Sequence, residues 1–364
     1  MLTGYDEFLC HQTVDTFDCV ATSAREWTER IWFSAHDTTG QYQFVAGFGH
    51  YPNRNIMDAF ACIVVGGKTQ HCIRASRVLR PGFDRVSVGP LEYQITEPLR
   101  SVRVTINEND HGFEGEIDFI AAMTPHEEET QFNRTRGRVL ENVKRYVQVG
   151  RPEGWIRAGG SRVEIDPASW RAERDHSWGI RRGGGVPETG VQPGEVPMGY
   201  FYNFMLGQFD GWGVTYHTRE DWDSRVISFS GAILYPQGSE KDERILSRVD
   251  HGFSFRPDVR QINGGSVTVH PEEGDPIEIS LRPLSTCHIR AGGYFGFRGF
   301  VHGLWMGEEY CDGFTLDLTD PETFREVSFL EDFMCELRCG NEIGYGIVEL
   351  VLIGKYPRYG YLSY

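Results

Sequence analysis

Residues 30–51 read RIWFSAHDTTGQYQFVAGFGHY, and this stretch decides the fold class. Two runs rich in aromatic and β-favouring residues flank Thr38, Thr39 and Gly40, a tight-turn signal, so the segment is a β-hairpin. The same texture continues outward. Past a turn cluster at PNRN (52–55), DAFACIVVGG (58–67) and QHCIRASRV (70–78) read as two more strands, joined through Gly66, Gly67 and Lys68. Apolar residues then alternate at Val102, Val104 and Ile106 and again at Ile117 and Phe119, which marks strands with one wet and one buried face. At least six antiparallel-looking strands precede residue 123, enough to curl into a barrel.

The connector TPHEEETQFNRTRGRVLENVKRYVQVG (124–150) interrupts this pattern with charge, and its second half reads either as a short helix or as a strand. A domain boundary is expected there, giving an N-terminal barrel domain over 1–150 and a C-terminal one over 151–364. After a Gly/Pro-rich insert at 183–199, suited to a surface loop or lid, the strand logic repeats. YFYNFMLGQF, GWGVTYHT, SRVISFSGAILYP, ILSRVDHGFSF, QINGGSVTVH and PIEISLRPL are strand-like runs separated by turns. One good helix candidate follows over 320–333, with Asp320 as N-cap and Pro321 at the first position. The chain then ends on a Gly-bounded apolar strand. The first 25 residues carry only a weak helical pattern around Phe8, Leu9 and Gln12.

At 364 residues the chain exceeds one typical domain. Its 43 glycines and 13% aromatic content, with few long apolar helical stretches, predict a mainly β protein. The net charge of −16 is spread along the chain, so nucleic acid is not an expected partner. No apolar run approaches the roughly 18 residues of a membrane span, and the N-terminus lacks the pattern of a signal peptide. A cytoplasmic location is therefore expected. The eight cysteines show no CxxC pair and read as buried or free thiols. Phosphate-binding loops, GxGxxG and GxSxG are absent, which disfavours nucleotide cofactors and serine-hydrolase chemistry.

Chemistry concentrates in WRAERDHSWGIRR (170–182), where Asp175, His176, Ser177 and Trp178 stand in succession ahead of Arg181 and Arg182. RDHSWGIR resembles the D-H-x-W-G segment of the AttH-like and carotenoid 1,2-hydratase-like proteins. WFSAHDTTGQYQF, GHYPNRNIMDAF and GYGIVELVLIGKY look like further segments of that superfamily. The resemblance implies two tandem lipocalin-like antiparallel β-barrels, no cofactor, and an elongated hydrophobic pocket near their junction. Family activities include hydration of isoprenoid double bonds and cyclisation. Asp175 and His176 match the acidic and imidazole members of the segment, and Trp178 and Gly179 its structural end. The Arg181-Arg182 pair and the long insert depart from the pattern.

Hydration by acid catalysis needs a proton donor, aromatic faces and a second base. Asp175 is the candidate acid, provided an apolar setting raises its pKa, and His176 its partner. On a regular strand the two point to opposite faces, so either one alone is reactive or the backbone is irregular there. The bland alternative makes the pair a loop tie and Trp178 a core plug. Candidate pocket residues are Trp178, His36, Asp37, Tyr51, Tyr216, His217, His302 and Trp305, although turn statistics favour Asp37 as a turn residue. No HxH or HExxH spacing supports a metal site among the histidines. Glu349 reads either as the buried partner of an arginine or as the outer face of an edge strand. The sequence thus points to a cofactor-independent lyase of the hydratase or dehydratase kind acting on an apolar alcohol or alkene. An isomerase or cyclase, and a non-catalytic carrier, are the rivals, and a homodimer stays open.

Overall fold

The computed structural model describes residues 2–181, 198–257 and 259–363. The insert read as a lid lies outside the described residues except for Met198 and Gly199. Strands dominate. The N-terminal half supplies β1 (Trp27–Asp37), β2 (Tyr42–Tyr51), β3 (Ile56–Val65), β4 (Thr69–Val78), β5 (Ser87–Val88), β6 (Leu91–Glu97), β7 (Ser101–Ile106) and β8 (Glu114–Ala121). After them come the short β9 (His126–Glu127) and β10 (Gln131–Thr135), the long β11 (Arg138–Ala158), β12 (Ser161–Ile165) and β13 (Trp170–Ile180). The ambiguous 137–150 stretch is thus a strand, paired with β13 from Asn142↔Ile180 to Gly150↔Ala172.

The second half supplies β14 (Gly199–Gln208), β15 (Gly213–Asp221), β16 (Val226–Leu234), β17 (Arg244–Phe255), β18 (Ile262–Pro271) and β19 (Ile277–His288), then β20 (Glu309–Asp317), β21 (Glu331–Cys339) and β22 (Glu342–Gly354). Eight of these close a barrel in the order β14-β15-β16-β17-β18-β19-β21-β22. The first sheet is curled and runs β20-β4-β3-β2-β1-β13-β11-β8-β7-β6-β5. Strand β20 therefore leaves the second half of the chain and adds to the first sheet, pairing along β4 from Glu309↔Arg77 to Asp317↔Thr69.

The expected helix is shorter than its sequence pattern. Asp320 caps it by accepting from Thr323 N at 2.9 Å, but the helix α1 (Pro321–Val327) stops early, and Glu331, Asp332 and Phe333 open β21 instead. Barrel closure claims those residues, and tertiary pairing overrides helix propensity. The leading segment forms only a single 3-10 turn over Gly4–Glu7. All eight cysteines are free thiols. No helix among the described residues is long and apolar enough to cross a membrane.

Three apolar layers follow from strand alternation. One fills the concave side of the first sheet (Phe33, Phe44, Phe119, Trp170), and one fills the closed barrel (Phe201, Tyr216, Val267, Phe333). Between them the convex side of the first sheet meets the outside of the barrel through Trp32, Val45, Phe60, Phe204 and Ile347. The polar residues of interest lie in this junction layer.

Candidate active site

Register decides which residues of β13 reach the junction. Asp175 stands opposite Trp32 on β1 and Val147 on β11, both junction residues, whereas His176 stands opposite Ile31 and Tyr146 on the concave side. No irregularity intervenes, so Asp175 and His176 do not share a chamber. Asp175 keeps 14% of its side chain exposed and lies 3.6 Å from Arg145 Nη1. Burial raises its pKa, against the pull of Arg145 and Arg181.

Across the layer the barrel offers two more carboxyl groups. Asp332 on β21 and Glu349 on β22 are direct cross-strand partners, and Phe204 flanks Glu349 on β14. Asp332 accepts from Trp32 Nε1 at 3.0 Å, while its other oxygen is buried with no hydrogen-bond partner among the described residues. Desolvation and the charge of Glu349 push the Asp332 carboxyl well up, and Asp175 adds to the effect. Glu349 is pushed up to about 7 by burial, with Arg145 opposing and Asp175 reinforcing. The edge-strand alternative for Glu349 does not hold, because β22 is paired on both sides. Tyr294 completes the cluster. Burial raises its phenol against the field of Arg30, with Glu349, Asp175 and Asp332 adding to the rise.

Three guanidinium groups face these acids. Arg145 donates to Glu128 at 2.7 Å and to Tyr202 Oη at 3.3 Å, and its plane lies over Phe204. Glu128 stands 3.0 Å from His217. Burial alone would raise Glu128, yet Arg145 and His217 hold it below the usual carboxylate range. Arg30 donates to Tyr51 Oη at 3.0 Å and to His302 Nδ1, while His302 Nε2 donates to Gly292 O at 2.9 Å. That arrangement fixes His302 as the neutral Nε2–H tautomer, and burial beside Arg30 drives its pKa far down. Tyr51 in turn donates to Asp58, whose carboxyl burial lifts to about 6. Arg181 is pushed down to about 10 by burial and by Arg30. Arg30 Nη2, Arg145 Nη2 and Arg181 Nη2 are buried without hydrogen-bond partners among the described residues.

Of the sequence candidates, Asp175, His36, Tyr51, His217 and His302 thus lie in the junction layer. His36 donates to Glu173 at 3.0 Å, both side chains fully buried. The others lie elsewhere. His176 is on the concave side, where it donates to Glu29 at 2.7 Å and meets Tyr146 and Trp178 edge-on. Asp37 accepts from Tyr42 N and holds the β1–β2 turn. Tyr216 is inside the closed barrel, donating to Asn203, and Trp305 is exposed. Arg30, Arg145, Glu128, Tyr294 and Asp332 went unread in the sequence. The available signal was a charged residue at an apolar-phase position of a strand, as Arg30 in RIWFS and Asp332 in EDFMC.

In overall shape the chain matches several crystal structures. A protein described as AttH from Nitrosomonas europaea superposes with a TM-score of 0.55 at 13% identity, covering 89% of this chain and 92% of that one. CghA bound to Sch210972 gives 0.52 at 9% identity, covering 91% and 89%. Kievitone hydratase from Nectria haematococca gives 0.46 at 12%, covering 89% of each. On the first two likenesses the chain has the tandem lipocalin-like fold of the AttH-like proteins, and at these identities the likeness extends to the fold alone. No curated protein sequence matches it. Sequence is more specific about kinship than shape is: one family model matches from residue 2 to residue 362, and the chain belongs to that family, the family of unknown function DUF8625.

Proposed function

We propose that this chain is a cofactor-independent enzyme that adds water to, or removes it from, a hydrophobic small molecule held at the junction of the two barrels. The observation that carries this reading is the facing set of Asp175, Asp332 and Glu349. Three carboxyl groups in one desolvated layer raise each other's proton affinity, so at least one stays protonated near neutral pH. A protonated carboxyl beside an ionised one supplies both halves of acid–base catalysis.

In the hydration direction, Asp175 gives its proton to one alkene carbon. Water then bonds to the neighbouring carbon and loses a proton to Glu349, for a net gain of one water. Dehydration is the reverse. Trp32, Tyr202 and Phe204 offer apolar body and ring faces for developing positive charge, and the unpaired arginine N–H groups offer donors for a substrate oxygen. Glu349 takes the role of second base that the sequence suggested for His176, because His176 faces the other side of β13. A carrier tolerates an all-apolar pocket, whereas this layer is crowded with ionisable groups, which favours catalysis over sequestration.

The test is mass-spectrometric. Apolar allylic, tertiary and benzylic alcohols and their alkenes are incubated with wild type and with Asp175→Asn, and gain or loss of one water is followed. Turnover in wild type that disappears in a folded Asp175→Asn supports the proposal. Tight binding with no mass change, and no isomer resolved by chromatography, would favour the carrier.

A further inference from the structure

Arg181 directly follows β13, and the acid–base steps above give it no role of its own. Its backbone N donates to Glu26 O at 3.3 Å, which carries the pairing with β1 one residue beyond Trp27↔Ile180. Alternation therefore puts Arg181 on the same face of the strand as Asp175, Ser177 and Gly179. The two residues between Asp175 and Arg181 on that face are small, which leaves the long arginine stem room to lie along it.

Of the three guanidinium groups in this layer, Arg181 is the one left unmatched. Arg145 has Glu128 at 2.7 Å and Asp175 at 3.6 Å. Arg30 bonds Tyr51 and His302, with Asp58 one hydrogen bond further on. The Arg181 side chain makes no hydrogen bond or ion pair among the described residues, and its Nε and Nη2 are enclosed without partners. The residue as a whole is only partly buried, and Nη1 is the guanidinium nitrogen that is not enclosed. Burial and the fields of Arg30 and Arg145 pull its pKa down to about 10, with Asp175 and Tyr294 opposing. A desolvated cation beside two like charges is costly unless an anion answers it. In the proposed donor state Asp175 is protonated, and the carboxyl group that acts most strongly on Arg181 then carries no charge.

We infer that Arg181 binds an anion carried by the substrate, so that the substrate class at the junction is an apolar monocarboxylate with an alkene or a hydroxyl group in its body. The inference rests on the reading that the junction is the ligand site. The carboxylate bonds Nη1 from its open side, and the apolar body runs toward Asp175 past Tyr294, itself only partly buried. A monoanion suits the layer better than a phosphate dianion, because Asp175, Asp332 and Glu349 already crowd negative charge there whenever they ionise. A bound carboxylate also offsets the pull of Arg145 and Arg181 on Asp175, and so helps Asp175 keep the proton that it donates.

The experiment uses the full chain and calorimetric titration at pH 8 with two probes of one carbon skeleton, geranic acid and geraniol. Geranate is expected to bind tighter than geraniol by about 10–100-fold, the usual worth of a charge-assisted hydrogen bond. Arg181→Met, which keeps an unbranched apolar stem, is expected to abolish that preference. Its urea midpoint without ligand is expected at or above that of wild type, since an unmatched cation is removed; a fall would mark Arg181 as a structural tie and overturn the inference. Asp175→Asn is expected to bind geranate at least as tightly as wild type, because it removes a like charge. Selective geranate binding without any gain of water therefore supports the inference while counting against the hydration chemistry, so the two fail separately. Equal affinity for the two probes, a preference that survives Arg181→Met, or no binding of either at millimolar concentration overturns it.

Discussion

Asp332 and Glu349 stand directly opposite each other across β21 and β22, an arrangement that costs stability whenever both are ionised. The proton affinity of Glu349 is higher in the folded chain than in the unfolded one. Between the ordinary value of 4.5 and about 7 the folded state therefore holds more protons, and stability falls as the pH rises through that window. Each tenfold change in proton affinity is about 1.4 kcal/mol. Glu349→Gln is thus expected to raise stability at pH 8 by roughly 3–4 kcal/mol and to flatten the dependence between pH 5 and 7, as measured by urea denaturation across that range. The same variant is expected to lose activity, since Glu349 is the proposed base. Asp175→Asn should lower kcat/KM by about 10²–10⁴, the usual contribution of a positioned acid, in the mass-spectrometric assay. At this scale the sequence was legible where chemistry is local: Asp175 stood out by its neighbours, and period-two alternation separated it from His176. Arg30, Asp332 and Tyr294 were illegible because what makes each unusual is a partner far along the chain. The Trp32–Asp332 hydrogen bond spans 300 positions.

Strands β11 and β13 carry Asp175 and Arg145 side by side, and their pairing depends on one glycine. Gly179 has φ +129°, and a Cβ there would lie 2.0 Å from Asn142 O on β11. Gly179→Ala is expected to destabilise the protein by about 2–4 kcal/mol, measured as a shift of the urea midpoint, through backbone strain and loss of close strand approach. The end of the D-H-x-W-G segment is structural for this reason. Helix α1 offers a milder test. Asp320→Ala removes the cap on Thr323 N and is expected to cost about 1 kcal/mol by the same measurement. Strands of alternating character, such as β7 with Val102, Val104 and Ile106 buried, were readable because one face is wet. The 137–150 stretch was ambiguous because its buried Leu140, Val143 and Val147 stand three and four residues apart, a helical spacing, in a segment that pairs as a strand.

The two halves of the molecule are joined by more than the junction layer, since β20 crosses from the C-terminal half to cover β4. Arg74, 1% exposed on β4, has its carboxylate partner Asp312 on β20, and its Nη1 donates to Phe297 O at 2.8 Å. Replacing Glu309–Asp317 with a Gly/Ser stretch of equal length removes that carboxylate and opens a long sheet edge. Such a variant is expected to lose a single coincident unfolding transition by near- and far-UV circular dichroism and to aggregate on size-exclusion chromatography. The tandem β architecture was visible in repeated strand signals, but no local pattern tells a strand which sheet it will join. This exchange also sets an order of events on the ribosome. Roughly 230 residues lie between the end of β4 and the start of β20, so at about 5–20 residues per second the edge of β4 waits on the order of 10–50 s for its cover. During synthesis the nascent first sheet is therefore a natural client for a chaperone that shields unpaired strand edges.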